Sequence, residues 1–127
     1  MHPFEQLRTW AKAHELSILI YRTTKRFPPG ERHGLISQLR RATCSIEANI
    51  AEGAGRRSPR EFRRFLDIAS GSASEAHCHL LLARGLELLP HGEAEALIQH
   101  VVVVRRMLGA LIRRINDGRR WMVDGGW

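Results

Sequence analysis

Apolar residues recur along four segments of this chain at alternating intervals of three and four positions. Such spacing places them on one face of an α-helix, which has a period of about 3.6 residues. The sequence therefore predicts four amphipathic helices. Their core-facing series are Leu7, Ala11, His14, Ile18 and Tyr21; Leu35, Leu39, Ala42, Ile46 and Asn49; Phe62, Leu66, Ala69, Ala73, Ala76, Leu80 and Ala83; and Leu97, Val101, Val104, Leu108, Leu111 and Ile115.

Short runs of helix-breaking residues separate these segments. RFPPGE (26–31) and LLPHG (88–92) combine proline with glycine, and NDG (116–118) follows the fourth segment. Short links between helices of roughly 20 residues, each about 30 Å long, make neighbouring helices run antiparallel. We therefore expect an all-α, antiparallel up-down-up-down four-helix bundle that forms one domain over residues 1–117, with a C-terminal tail at 118–127.

Small residues dominate the core-facing series of the third segment. Alanines occupy most of its positions, so this helix is expected to pack closely inside the bundle or against another subunit. Gly71 lies among them and costs a helix about 1 kcal/mol relative to alanine. We expect Gly71 to have a packing partner; the alternative is a glycine that the helix merely tolerates.

The stretch NIAEGAGRRSPREF (49–62) resembles a phosphate-binding loop only in its glycines, because it lacks the GxxxxGK[ST] pattern. Gly53 or Gly55 is expected to supply a left-handed residue that ends the second helix. Ser58 and Glu61 predict a capping box at the start of the third helix, with Pro59 at its first position.

Two polar residues of this stretch have structural interpretations. Asn49 falls on the core-facing series of the second helix, where one polar side chain can set the register of packed helices. Glu52 lies in the last turn, where the helix dipole disfavours a negative charge. It therefore needs a specific partner, such as Arg56 four residues later.

The composition is strongly basic. The formal net charge is +7, and all but two of the 20 basic residues are arginines. Such a surface favours polyanions, and the arginine fork suits phosphate better than the lysine point charge. The alternative is a compositional preference for arginine codons, with no phosphate contact behind it.

The predicted topology gathers many arginines at one end of the bundle. The first and third helices begin there, and the second and fourth helices end there. The arginines concerned are Arg8, Arg56, Arg57, Arg60, Arg63, Arg64, Arg113, Arg114, Arg119 and Arg120, against Glu5, Glu52, Glu61, Asp117 and Asp124. We expect this end to bind nucleic-acid backbone. The binding residues expected are Arg56, Arg57, Arg60, Arg63, Arg64, Arg113, Arg114, Arg119 and Arg120. Solvated arginines with local partners, such as Arg63 with Asp67, are the alternative.

Catalytic and metal chemistry find little support in the residue pattern. Glu75 and His79 share a helix face, but two ligands do not make a metal site. Cys44 and Cys78 lie inside helical patterns and are expected to be reduced thiols. His14 is expected to be a core or interface residue. We therefore expect no cofactor, no metal and no enzymatic activity.

The sequence also bears on where the protein is located and on what its C-terminal tail does. The first ten residues lack the apolar run of a secretory signal, and no segment approaches the roughly 20 apolar residues of a membrane span. We expect a cytoplasmic protein without a membrane partner. Trp121 and Trp127 are expected to pack onto the bundle or a neighbouring subunit, the alternative being a disordered tail.

Two stretches resemble a known family. Residues 37–84, with SIEANIAEGAGRRSPREFRRFLDIASGSASE at their centre, and residues 11–28 look like the small bacterial four-helix bundle proteins named for 23S rRNA intervening sequences. The resemblance covers roughly residues 5–115. It implies an antiparallel bundle that assembles as a ring-shaped homopentamer, without established enzymatic function.

The same family is similar to the accessory variability protein of diversity-generating retroelements, a basic pentameric bundle that binds a reverse transcriptase and its RNA. The resemblance thus implies a homo-oligomer with RNA or DNA and a nucleic-acid enzyme as partners. Two functions remain open at this point. One is an accessory protein that binds nucleic-acid backbone, and the other is a protein-interaction scaffold whose arginines serve solubility and subunit contacts.

Overall fold

The computed structural model describes Phe4 and residues 7–118, apart from the side chains at positions 32 and 33. This part of the chain is helical throughout, without strands. It contains α1 (Arg8–Thr24), α2 (Ser37–Ala54), α3 (Pro59–Gly85) and α4 (His91–Asn116). A 3₁₀ turn (Pro29–Glu31) and a π-helical turn (Arg32–Ile36) connect α1 to α2. The prediction of an all-α fold is confirmed.

Each helix packs against two neighbours, in the order α1, α2, α3, α4 and back to α1. Contacts between helix ends show that neighbours are antiparallel. Arg40 at the start of α2 donates to the hydroxyl of Thr24 at the end of α1 (2.9 Å), and Arg63 early in α3 donates to Asn116 at the end of α4 (2.8 Å). The helices therefore form the expected four-helix bundle, in which α1 and α3 are diagonally opposite.

The predicted core faces of α3 and α4 are confirmed. Every member of the two series, from Phe62 to Ala83 and from Leu97 to Ile115, is buried. In α2 the series holds through Ile46 and then continues at Ile50 and Gly53 rather than at Asn49. The β-branched run at 101–104 is helical and lies inside α4. Val101 and Val104, three positions apart on one helix face, are both buried.

The predicted core face of α1 is largely wrong. Ala11 and His14 are exposed, and Ile18 and Tyr21 keep 39% and 42% of their surface in contact with solvent. The buried face carries Ala13, Leu16 and Ile20 together with the polar residues Thr9, Ser17, Thr23 and Thr24. Thr24 can be buried because its hydroxyl donates to the Ile20 carbonyl (2.7 Å).

Gly53 and Gly55 do not end α2 in a left-handed conformation, so that prediction is wrong. Gly53 lies inside the helix, and Gly55 has a right-handed φ of −80°. A Cβ atom on Gly53 would stand 2.8 Å from Cδ1 of Phe62 and 2.8 Å from Cβ of Phe65. The glycine therefore allows the close approach of α2 and α3.

Two further residues differ from expectation. Asn49 lies beside the core, half-buried, and its Nδ2 donates to the carbonyl and the hydroxyl of Ser45 (2.8 and 3.0 Å). Ser45 in turn bonds Ser72 across the α2–α3 contact (2.8 Å).

Gly71 is exposed, and a Cβ atom there would have no neighbour within 4 Å. Within the described part of this chain Gly71 has no packing partner, so the tolerated glycine is the better interpretation.

The start of α3 carries half of the expected capping box. The Ser58 hydroxyl accepts a hydrogen bond from the Glu61 amide (3.3 Å), and Pro59 occupies the first helical position. The carboxylate of Glu61 binds Arg64 with both oxygens rather than reaching back to the Ser58 amide.

The expectations for Trp121, Trp127, Arg119 and Arg120 lie outside the described residues, as do those for Glu5 and Asp124. Among the helices of the described part, none is long and apolar enough to cross a membrane.

Candidate nucleic-acid interface

The structure brings together the arginines at the starts of α1 and α3 and the ends of α2 and α4. These arginines are Arg8, Arg56, Arg57, Arg60, Arg63, Arg64, Arg113 and Arg114, and all are exposed. The carboxylates of the described chain at this end are those of Glu52, Glu61, Asp67 and Asp117. Arginines outnumber carboxylates, so the end of the bundle is net positive.

Two of these arginines surround one aromatic ring. The guanidinium carbons of Arg56 and Arg64 lie 5.0 and 4.6 Å from the ring centroid of Phe65. Arg56 also pairs with Glu52 (2.5 Å), which is the predicted partner, and Arg64 binds both oxygens of Glu61 (3.1 Å each). These contacts hold both guanidinium groups in place but partly neutralise them.

The arginines around Glu61 also change the pKa of its carboxyl group. Hydrogen bonds from Arg64, with the added positive charges of Arg56 and Arg60, lower the pKa of the Glu61 carboxyl below its usual range. Glu61 is therefore ionised at neutral pH, and its charge keeps Arg64 aligned along α3 rather than extended into solvent.

Arg63 connects α3 to α4. Its Nη1 donates to Asn116, and its Nε lies 3.9 Å from Asp67 one turn later. The second contact is the local pair that the sequence suggested as an alternative to phosphate binding. At 3.9 Å between exposed side chains it is weak, so Arg63 is positioned mainly by Asn116.

Four arginines of this end remain available to an external anion. Arg8, Arg57, Arg60 and Arg113 are exposed, and no carboxylate of the described residues lies within 4 Å of their guanidinium groups. Arg60 lines an open depression of about 430 Å³ between α3 and α4, together with Pro59, Arg63, Arg64, Asp67, Ile115 and Asn116. Guanidinium groups converging on one depression can hold a phosphate by several charge-assisted hydrogen bonds.

Arg105 and Arg106 are basic residues that sequence reasoning missed. They line a second depression of about 340 Å³ between α3 and α4, together with Ser70, Ser74, Val102 and Gly109. The surface between these two helices, which contains both depressions, is called the α3–α4 groove below. A signal for Arg106 exists in the sequence, because positions 102, 106, 109, 113 and 116 follow the three-and-four spacing of one face of α4.

The candidate metal and thiol residues have local protein partners instead. Nε2 of His79 lies 3.1 Å from Glu75, whose carboxylate also accepts from Arg41 (3.2 Å). The part of the chain that the structure describes contains no group of three His, Cys, Asp or Glu residues able to hold a metal ion. The Cys44 sulfur lies 3.7 Å from the Tyr21 hydroxyl, and this hydrogen bond raises the pKa of Tyr21.

His14 is an exposed contact residue rather than part of the core. Its ring stacks on Trp10, with centroids 4.7 Å apart, and Nδ1 lies 2.6 Å from the Glu47 carboxylate of α2. The side chain therefore helps to tie the outer faces of α1 and α2 together.

The family model for 23S rRNA-intervening sequence proteins matches residues 5–110. The chain belongs to this family. The match is slightly shorter than the resemblance over residues 5–115 suggested. It includes the arginines of α3 and the pair Arg105 and Arg106, and it stops before Arg113 and Arg114.

A solved structure of the related S23 ribosomal protein family has a similar fold. It is a protein of unknown function from Bacteroides thetaiotaomicron, with a TM-score of 0.76 and 25% sequence identity. The alignment covers 83% of this chain and 98% of that chain. Comparison with curated proteins gives no match. These comparisons establish the family and the fold, and neither description names a biochemical activity.

Proposed function

We propose that this member of the family is a non-enzymatic, oligomeric accessory protein of the cytoplasm that binds the backbone of RNA or DNA. The observation that carries this proposal is the cluster of exposed arginines at one end of the bundle. Arg57, Arg60 and Arg113 have no carboxylate partner in the described chain, so their charge is directed to solvent.

The mechanism is electrostatic. Each arginine that neutralises a phosphate releases condensed counterions, so affinity falls as salt concentration rises. Arg56 and Arg64, held against Phe65, lose little freedom when a phosphate arrives. Contacts of this kind follow the sugar–phosphate chain and read little base sequence. Such binding suits a protein that holds nucleic acid for a separate nucleic-acid enzyme.

The test is a salt series with the full chain and a labelled, unrelated RNA oligonucleotide. We expect wild-type binding to weaken steeply with salt, and Arg57→Gln/Arg60→Gln to flatten the logarithmic salt slope by about 0.7 for each phosphate that is no longer neutralised. The matched control is Arg22→Gln/Lys25→Gln. It also removes two exposed charges without a carboxylate within 4 Å in the described chain, but at the other end of α1. The control should bind like wild type.

A protein-interaction scaffold is the second candidate. The observation that favours it is that Arg56, Arg63 and Arg64 each pair with a nearby carboxylate. These pairs neutralise part of the positive charge at this end. An intact oligomer that fails to bind RNA and DNA at low salt would overturn the nucleic-acid proposal and leave the scaffold. Equal reductions in affinity for the arginine variant and its control would overturn the assignment to this end of the bundle.

Self-association is part of the same proposal. The family resemblance implies a homopentamer, and a ring requires two different surfaces of one chain to meet. Two apolar patches support this arrangement: the α1 patch, formed by Ile18 and Tyr21, and the α3 patch, formed by Leu82 and Leu86, which are 50% and 54% exposed. They lie on diagonally opposite helices and in the half of the bundle away from the arginine cluster.

A further inference from the structure

The basic surface does not stop at the end of the bundle but continues along the groove between α3 and α4. The depression at Arg60 and Arg63 is followed, one helical turn further, by the depression at Arg105 and Arg106. Among all residues that line the two depressions, Asp67 is the single carboxylate. The groove therefore carries a positive charge along its length.

Arg113 lies along α4 between the residues of the two depressions, after Gly109 and before Ile115. Its Nη1 lies 3.5 Å from the position that a Cβ atom on Gly109 would occupy, and Gly109 lines the second depression. Arginines therefore line both depressions, and Arg113 lies between them along α4. From Arg60 to Ser74 the groove runs about 21 Å, given the rise of about 1.5 Å per residue.

Besides its two arginines, the second depression is lined by the small residues Ser70, Ser74, Gly109 and Val102. Ser70 and Ser74 present hydroxyls on the α3 side, and Gly109 adds no side chain on the α4 side. The two depressions, of about 430 and 340 Å³, follow one another along the contact between α3 and α4, a size and path that suit one extended chain. A rigid duplex would rest on the rims and leave the depressions unfilled. Serine hydroxyls in the second depression can donate to phosphate oxygens.

We propose that the α3–α4 groove holds a single strand of nucleic acid lengthwise, with successive phosphates facing Arg60, Arg113 and the Arg105–Arg106 pair. This inference rests on the proposed function and adds the path and the strandedness of the ligand. The bases point away from the bundle, so binding depends on phosphate number and little on base identity.

The experiment compares a single-stranded RNA of mixed sequence with a blunt duplex of the same length. It uses the full chain, Arg105→Gln/Arg106→Gln, and the control Arg22→Gln/Lys25→Gln. We expect the groove variant to bind the single strand at least about fivefold more weakly and with a flatter salt slope, and the control to match wild type. Arg105→Lys/Arg106→Lys keeps both charges and is expected to retain the salt slope. Equal helicity by circular dichroism shows that each variant is folded.

The possible results separate this inference from the proposed function. Wild-type protein that binds no RNA at low salt overturns both. Wild-type protein that binds, together with a groove variant that behaves like the control, overturns the groove while the arginine cluster remains the interface. A duplex that binds as tightly as the single strand overturns the assignment of strandedness.

Discussion

At the scale of single residues, two glycines of the bundle occupy opposite environments. Gly53 faces α3, where Cδ1 of Phe62 and Cβ of Phe65 leave no room for a methyl group. Gly71 lies mid-helix on an exposed surface, and no described atom stands within 4 Å of an added Cβ. The same substitution should therefore have opposite effects at the two positions.

We expect Gly53→Ala to lower the free energy of unfolding by about 1–3 kcal/mol, because Cβ of Phe65 cannot swing away without moving the backbone of α3. Gly71→Ala is the matched control and should raise it by about 0.5–1 kcal/mol through helix propensity. Urea unfolding at one protein concentration measures both changes. A Gly53→Ala protein as stable as wild type would contradict the close approach of α2 and α3.

At the scale of elements, an ion pair ties the segment after α1 to the start of α4. The guanidinium of Arg26 binds both carboxylate oxygens of Glu93, with Nη1 to Oε2 at 3.1 Å. These hydrogen bonds lower the pKa of Glu93 and raise that of Arg26. Since both groups are open to solvent, the contribution of the pair to stability is small and depends on pH.

The sign of that pH dependence follows from the lowered pKa of Glu93. Its contribution is complete above the ordinary glutamate pKa of about 4.3 and is lost as pH falls through the lower folded value. Wild type should therefore be more stable than Glu93→Gln at pH 7, and the two unfolding curves should converge in acid. Glu87→Gln is the control, because Glu87 is exposed and no basic group of the described chain lies within 4 Å. A difference between wild type and Glu93→Gln that persists in strong acid would contradict the role of the pair.

At the scale of the whole molecule, the arginine cluster is separated from the α1 and α3 patches. The arginine cluster occupies one end, and the α1 and α3 patches lie in the other half. Assembly through the patches would leave the arginines of every subunit open to nucleic acid. A ring built in this way would repeat the basic surface around its axis.

The two patches predict a specific mixing experiment. Ile18→Asp should disable the α1 patch and Leu82→Asp the α3 patch, and each should reduce the assembly measured by light scattering to single chains. A mixture of the two retains one intact α1 patch and one intact α3 patch, so it should form dimers. Leu81→Asp, at an exposed leucine of a different face of α3, is the control and should leave the mass unchanged. Mixtures that contain only single chains would contradict the head-to-tail arrangement.

The sequence by itself determined the number of helices, their approximate ends and the core faces of α3 and α4. In those helices every position of the apolar series with three-and-four spacing is buried. It also determined which end of the bundle collects the arginines of the described chain, because short connections make neighbouring helices antiparallel.

Only the tertiary structure decided which face of α1 is buried and what each arginine contacts. Both faces of α1 carry apolar residues, and the buried face also carries polar ones such as Thr24, whose hydroxyl bonds to the helix backbone. Gly53 likewise owes its role to Phe62 and Phe65 on another helix. The groove at Arg105 and Arg106 depends on how α3 and α4 are aligned, and periodicity within one helix does not specify that alignment.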